Sequence, residues 1–273
     1  MQVGMLTAPF NGDDIETVVG FAAEAGFDCL EIWATPDCAH FNVDRAKDLP
    51  VIVRNAGLEI SSLAAYVDVT AGDADERKRN QQWVASLVEI CSDIDVEVLC
   101  CMAGLPPEGM SREEALEEIA APFFTDLCAD AAQAGVKIAL ENWFATNIMH
   151  LGHWDLMFDL VPYENFGLNF DPSHLLIQDI DYLSAIDDFA ERIFHTHAKD
   201  TEIRYSERGY LGIRTDDWWR FVIPGFGEIE WGVYVSRLRH IGYDGVLSIE
   251  HEDAAWPREA GFIKGLQHLK QFV

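Results

Sequence analysis

Residues 194–203 read FHTHAKDTEI, with His195 and His197 two apart and Lys199 and Asp200 close behind. Imidazoles two apart in an extended run lie on one face of a strand, so both would look the same way. Three other short runs end in related chemistry. Glu141-Asn142-Trp143 closes one, Asp171-Pro172-Ser173-His174 another, and Glu250-His251-Glu252-Asp253 a third. Carboxylates joined by an imidazole make an oxygen-rich donor set, which suits Mn2+, Mg2+ or Co2+ better than a structural zinc. Each piece alone has a plainer explanation: Asp171 before a proline as a turn residue, Glu141-Asn142 as a cap, His195 as a hydrogen-bonded core histidine. Four such groups ending four successive runs favour one common centre.

The elements that would position them are short apolar runs. These are QVGMLT (2–7), DCLEIWA (28–34), LEISSLAAY (58–66), VEVLCCMAG (96–104), VKIALENW (136–143), FGLNFDP (166–172), IFHTHAKD (193–200) and GVLSIEHED (245–253). Amphipathic segments separate them, such as DDIETVVGFAAEAG, which ends at Gly26 as a helix with a glycine cap would. Strands alternating with helices imply parallel βαβ units. Eight units in 273 residues predict a (β/α)8 TIM barrel, one domain over 1–273, since such barrels take about 250 residues. An open doubly wound sheet would carry a glycine-rich loop after the first strand, and TAPFNGDD holds no GxGxxG. In a barrel the carboxyl ends of the strands carry the chemistry, where the four groups above fall. The segment 200–230 reads as a long irregular loop of functional use.

The chain carries 47 acidic residues against 19 Lys and Arg, a formal net charge of -28. The acids are dispersed through helical segments such as SREEALEEIA. Dispersed negative charge reads as adaptation to a salty cytoplasm and argues against nucleic acid, which needs a basic footprint. No run has the length of a membrane span, and MQVGMLTAPF lacks the pattern of a signal peptide. The six cysteines show no CxxC spacing. A cytoplasmic protein with reduced thiols is the expectation.

LEN, NFDPSH, HTHAKDT, PGFGEIEW and GYDGVLSIEHED together resemble the xylose isomerase-like TIM-barrel superfamily, in particular sugar phosphate isomerase/epimerase proteins that include ketose 3-epimerases. The likeness is strong over the last four strands and rests mainly on pattern before them. It implies one divalent ion held by Glu141, Asp171, His197 and Glu250, with His174 on the substrate. His195 would then stand behind the ligands or face substrate, and Lys199 with Asp200 would face substrate or anchor a loop. Their plainer reading is a surface ion pair. Glu31 is a substrate contact by the same likeness. Trp143 and Trp33 would stack on a sugar or pack in the core; Arg204 and Arg214 would hold a hydroxyl or phosphate. HLGH places His150 and His153 in a loop shaping the substrate, and Trp218-Trp219 would cover the site or meet a second subunit of a homo-oligomer.

The activity implied is isomerisation or epimerisation of a small keto sugar. It would pass through an enediolate stabilised by the ion, with Glu141 and Glu250 as acid and base on opposite faces. A lyase expelling water from a keto-inositol or keto-sugar would use the same site. An apurinic endonuclease of the same fold would need further histidines after strands two to four, where LAAY and CMAG stand. A sugar-binding barrel without catalysis would not need the full ligand set.

Overall fold

A computed structural model of the chain describes residues 1–273. Its strands in chain order are β1 (Gln2–Leu6), β2 (Cys29–Trp33), β3 (Glu59–Ala65), β4 (Val98–Met102), β5 (Lys137–Glu141), β6 (Phe166–Phe170), β7 (Ile193–Ala198), β8 (Asp200–Ile203), β9 (Trp219–Val222) and β10 (Val246–Ile249). Eight of these close a parallel barrel in the order β1-β10-β7-β6-β5-β4-β3-β2. All eight expected runs become barrel strands. β4 (VLCCM) and β6 (FGLNF) are buried along their whole length, as strands covered on both faces must be.

Helices cover the outside. Ile15–Ala25 begins where Asp14 accepts from the Thr17 amide and ends at Gly26 with φ 91°, a left-handed cap that glycine adopts without strain. The helical stretch from Arg112 to Ala134 opens with a reciprocal Ser111–Glu114 cap and carries one π turn at Leu116–Ala120. Pro122 follows that turn and has no N–H to give the preceding turn, so the widened ring fits the sequence.

Register aims the side chains. Asn169 pairs with both Glu141 and His195, and Ser248 pairs with His197. The register slips between Leu168 and Asn169 against β7, and between Leu30 and Glu31 against β3. Slips of this kind re-aim side chains and gather near active sites. Gly167 sits where a Cβ would strike the Arg192 carbonyl and the Phe194 ring, so this approach of β6 to β7 requires glycine.

The segment 200–230 is only partly irregular. β8 and β9 form an antiparallel hairpin of their own, with Tyr205–Leu211 helical between them. Four-residue strands with mixed polarity, DTEI and WRFV, carry too little alternation to read from sequence. Asp200 explains the hairpin's position. Its carboxylate is fully buried and accepts from the amides of Thr201, Gly225, Gly227 and Ile229 and from Trp231 Nε1. Lys199 points the other way, into the barrel mouth, so the surface ion pair is not formed.

Candidate active site

A cavity of about 600 Å³ opens at the carboxyl ends of the strands. Glu141, His174, Lys199, Glu250 and Glu252 supply its charged and polar groups. Trp33, Tyr66, Trp143, Phe144, Trp219 and Phe221 form aromatic walls. Trp33 stacks on Tyr66 with ring centroids 5.4 Å apart, and Trp219 leans on Phe221 at 4.9 Å. The hairpin therefore contributes two walls.

Glu141, Asp171, His197 and Glu250 each place one donor atom within 4.8 Å of the others. His197 Nδ1 lies 3.3 Å from Glu141 Oε1 and 3.2 Å from Glu250 Oε2. Its Nε2 lies 3.1 Å from Glu31 Oε2, which also accepts from Ser248 Oγ at 2.7 Å. This fixes the ring with Nδ1 toward the carboxylates, the arrangement a carboxylate–histidine pair gives a metal ligand. Asp171 divides its two oxygens. Oδ1 accepts from the Ser173 amide at 2.7 Å, capping the helix Pro172–Leu176, while buried Oδ2 has no hydrogen bond.

Lys199 Nζ stands among these carboxylates, 2.5 Å from Glu250 Oε2, 3.2 Å from Asp171 Oδ2 and 3.3 Å from Glu252 Oε2. An ammonium inside the cluster shows that the enclosure draws positive charge. The oriented imidazole and the Glu141, Asp171 and Glu250 carboxylates, with Asp171 Oδ2 held only by the Lys199 ammonium, fit a hard divalent ion.

Electrostatics follow from burial and proximity. Burial alone would lower His197, but Glu31, Glu250 and Glu141 outweigh it and hold the imidazole well above its ordinary range. Burial opposes ionisation of Glu31, yet His197 and His195 carry it down to about 2. Glu141 is likewise held well below the usual range, against burial, chiefly by His197 and His174. Burial pushes His195 down to about 4.

The structure brings together most of the expected residues. Glu141, Glu250, His174, Lys199, Trp143 and Trp33 line the cavity. Glu31, expected on the substrate, and His195, expected behind the ligands or on the substrate, do not line the cavity. Glu31 is the third of five residues in β2, below the floor, and meets His197 rather than the cavity. His195 is also beneath it, with Nδ1 2.9 Å from Asn169 Oδ1. A strand-end residue faces the mouth, and both of these stop short of the strand end. Arg204 does not line the cavity either; its Nη2 reaches the Trp219 carbonyl at 3.5 Å. Arg214 is exposed. His150 and His153 stack at 3.8 Å around the start of the helix Leu151–Leu160, and His153 pairs with Glu113. Tyr66, Phe144 and Phe221 were not legible as cavity residues, although Tyr66 sits at the end of a predicted strand.

Residues 19–272 match the sequence model of the xylose isomerase-like TIM barrel. The chain is a member of the xylose isomerase-like TIM barrel family. A ketose 3-epimerase of Arthrobacter globiformis is 26% identical over 259 residues, spanning 89% of this chain and 80% of that enzyme. An inosose dehydratase of Clostridium perfringens is 27% identical over 155 residues, 53% of this chain and 51% of that protein. A crystal structure of the IolI protein with a bound zinc atom matches with a TM-score of 0.76 at 20% identity, covering 100% of this chain and 96% of that one. At that identity the likeness speaks for the fold. This xylose isomerase-like barrel has no helix long and apolar enough to cross a membrane.

Proposed function

We propose that this protein is a divalent-metal-dependent isomerase or epimerase of a small keto sugar. The observation that carries the reading is the placement of Glu141 and Glu250. They come from β5 and the end of β10, three strands apart, and flank His197 Nδ1 at 3.3 and 3.2 Å on the floor of an aromatic cavity. One carboxylate would take the proton from the carbon beside a carbonyl. The other would return a proton from the opposite side, which is what inversion at carbon requires. His174 Nε2, 3.3 Å from Glu141 Oε1, would hold a substrate oxygen beside the reacting carbon. An ion held by Glu141, Asp171, His197 and Glu250 would supply Lewis-acid stabilisation of negative charge on the substrate oxygens. The tryptophan and phenylalanine walls offer apolar faces to a sugar ring and exclude water.

A lyase is the second reading. Lys199 Nζ and His174 Nε2 lie 3.1 Å apart at the same floor, so an acid is at hand for a departing hydroxyl. A panel of ketoses, aldoses and keto-inositols, turned over with Mn2+ in D2O and followed by NMR, separates the two. An isomerised product with deuterium at the reacting carbon supports the epimerase. Loss of water gives the site to the lyase. An isomerised product without deuterium means a hydride shift and removes the two-glutamate mechanism. No turnover in any class, with the ion bound, retires the reading.

A further inference from the structure

A second group of metal-ligating side chains lies under the cavity floor. Glu31 on β2, Cys100 on β4 and His195 on β7 each bring one donor atom within 4.8 Å of the other two. Cys100 and His195 each precede by two residues a side chain of the upper level, Met102 and His197, so they form the layer beneath. All three are enclosed, at 0%, 0% and 1% exposure.

Glu31 engages His197 and Ser248 through Oε2, while buried Oε1 has no hydrogen-bond partner. His195 Nδ1 faces Asn169 Oδ1 at 2.9 Å and Glu31 Oε2 at 3.9 Å, and the Asn169 amide nitrogen lies 2.8 Å from Tyr66 Oη and 2.9 Å from His197 Nε2. Nδ1 therefore carries the proton, and Nε2 presents its lone pair. Near Nε2 stand two hydroxyls at 3.3 Å, Ser61 and Ser62, and Ser61 donates to the Leu30 carbonyl. Ser62 remains as a neutral oxygen beside the three.

We infer that Glu31, Cys100 and His195 form a second metal site, selective for zinc and separate from the oxygen-rich cluster above it. One sulfur, one imidazole nitrogen and one carboxylate oxygen are a borderline-soft set, which prefers zinc to manganese or magnesium. On binding, the Cys100 thiol releases its proton to solvent. The thiolate and the Glu31 carboxylate then oppose the two charges of the ion, with Glu31 shared with the His197 ring above. The ligands have no exposed edge, so the ion enters as the barrel closes. The two layers thus sort two metals by softness.

Refolding the full chain with Co2+ tests this. Two cobalt ions per chain are expected, one giving a thiolate-to-cobalt charge-transfer band. Cys100→Ser should lose that band and one ion. Cys101→Ala, on the opposite face of β4, should keep both. Zinc X-ray absorption of the refolded wild type reads the same point without a variant, through a sulfur neighbour at about 2.3 Å. A shell of nitrogen and oxygen alone overturns the inference, as does a band that survives in Cys100→Ser.

Discussion

His197 is gripped from both ends, by Glu31 behind and by Glu141 and Glu250 in front. The two faces predict different failures. On the proposed mechanism Glu141→Gln and Glu250→Gln would each remove a proton carrier, and such groups contribute about 10²–10⁴-fold. Turnover should fall by at least that much and stay low when excess ion restores occupancy. Recovery under excess ion would leave only a ligand role. Glu31→Gln acts through the imidazole. Loss of such a supporting carboxylate weakens metal affinity by about 10–100-fold. A calorimetric titration with Mn2+ reads it, and unchanged affinity would mean the ring is held by something else. His197→Ala should lose most Mn2+ affinity in the same titration.

At the scale of elements, Asp200 is the hinge pin of the hairpin that walls the cavity. Its five donors come from Thr201, Gly225, Gly227, Ile229 and Trp231. Asp200→Ala would leave several buried N–H groups unpaired, at about 1–3 kcal/mol each. A loss of at least about 3 kcal/mol in urea unfolding is expected, and an unchanged midpoint would contradict the anchor. Gly227→Ala should act in the same direction, because a Cβ there meets the Asp200 carboxylate and the Thr201 carbonyl. Both changes should also disturb Trp219 and Phe221, and so bring substrate binding down with stability.

The whole molecule carries a net charge of -28. Self-repulsion at this level is felt across the surface when salt is low, because the screening length is ~10 Å at 0.1 M and ~3 Å at 1 M. The melting temperature should therefore rise from low to molar KCl. A flat or falling curve would refute adaptation to salt. The sign is independent of the metal, and a titration with and without chelator separates the two effects.

Periodicity alone located all eight barrel strands, because strands buried on both faces are dense apolar runs that few other arrangements produce. The candidate ligand positions were also legible: Glu141, Asp171, His197 and Glu250 fall where such runs end, the level at which a barrel opens, and the family resemblance singled out His197 from His195. What chain order could not reveal was depth and company. Glu31 and His195 lie on the same strands as candidate groups, but register slips and barrel stagger set them beneath the floor. Tyr66, Phe144 and Phe221 come from distant segments and meet only when the barrel closes and Asp200 folds the hairpin over its mouth. Local pattern decides which residues become strands. Three-dimensional closure decides which of their side chains share one space.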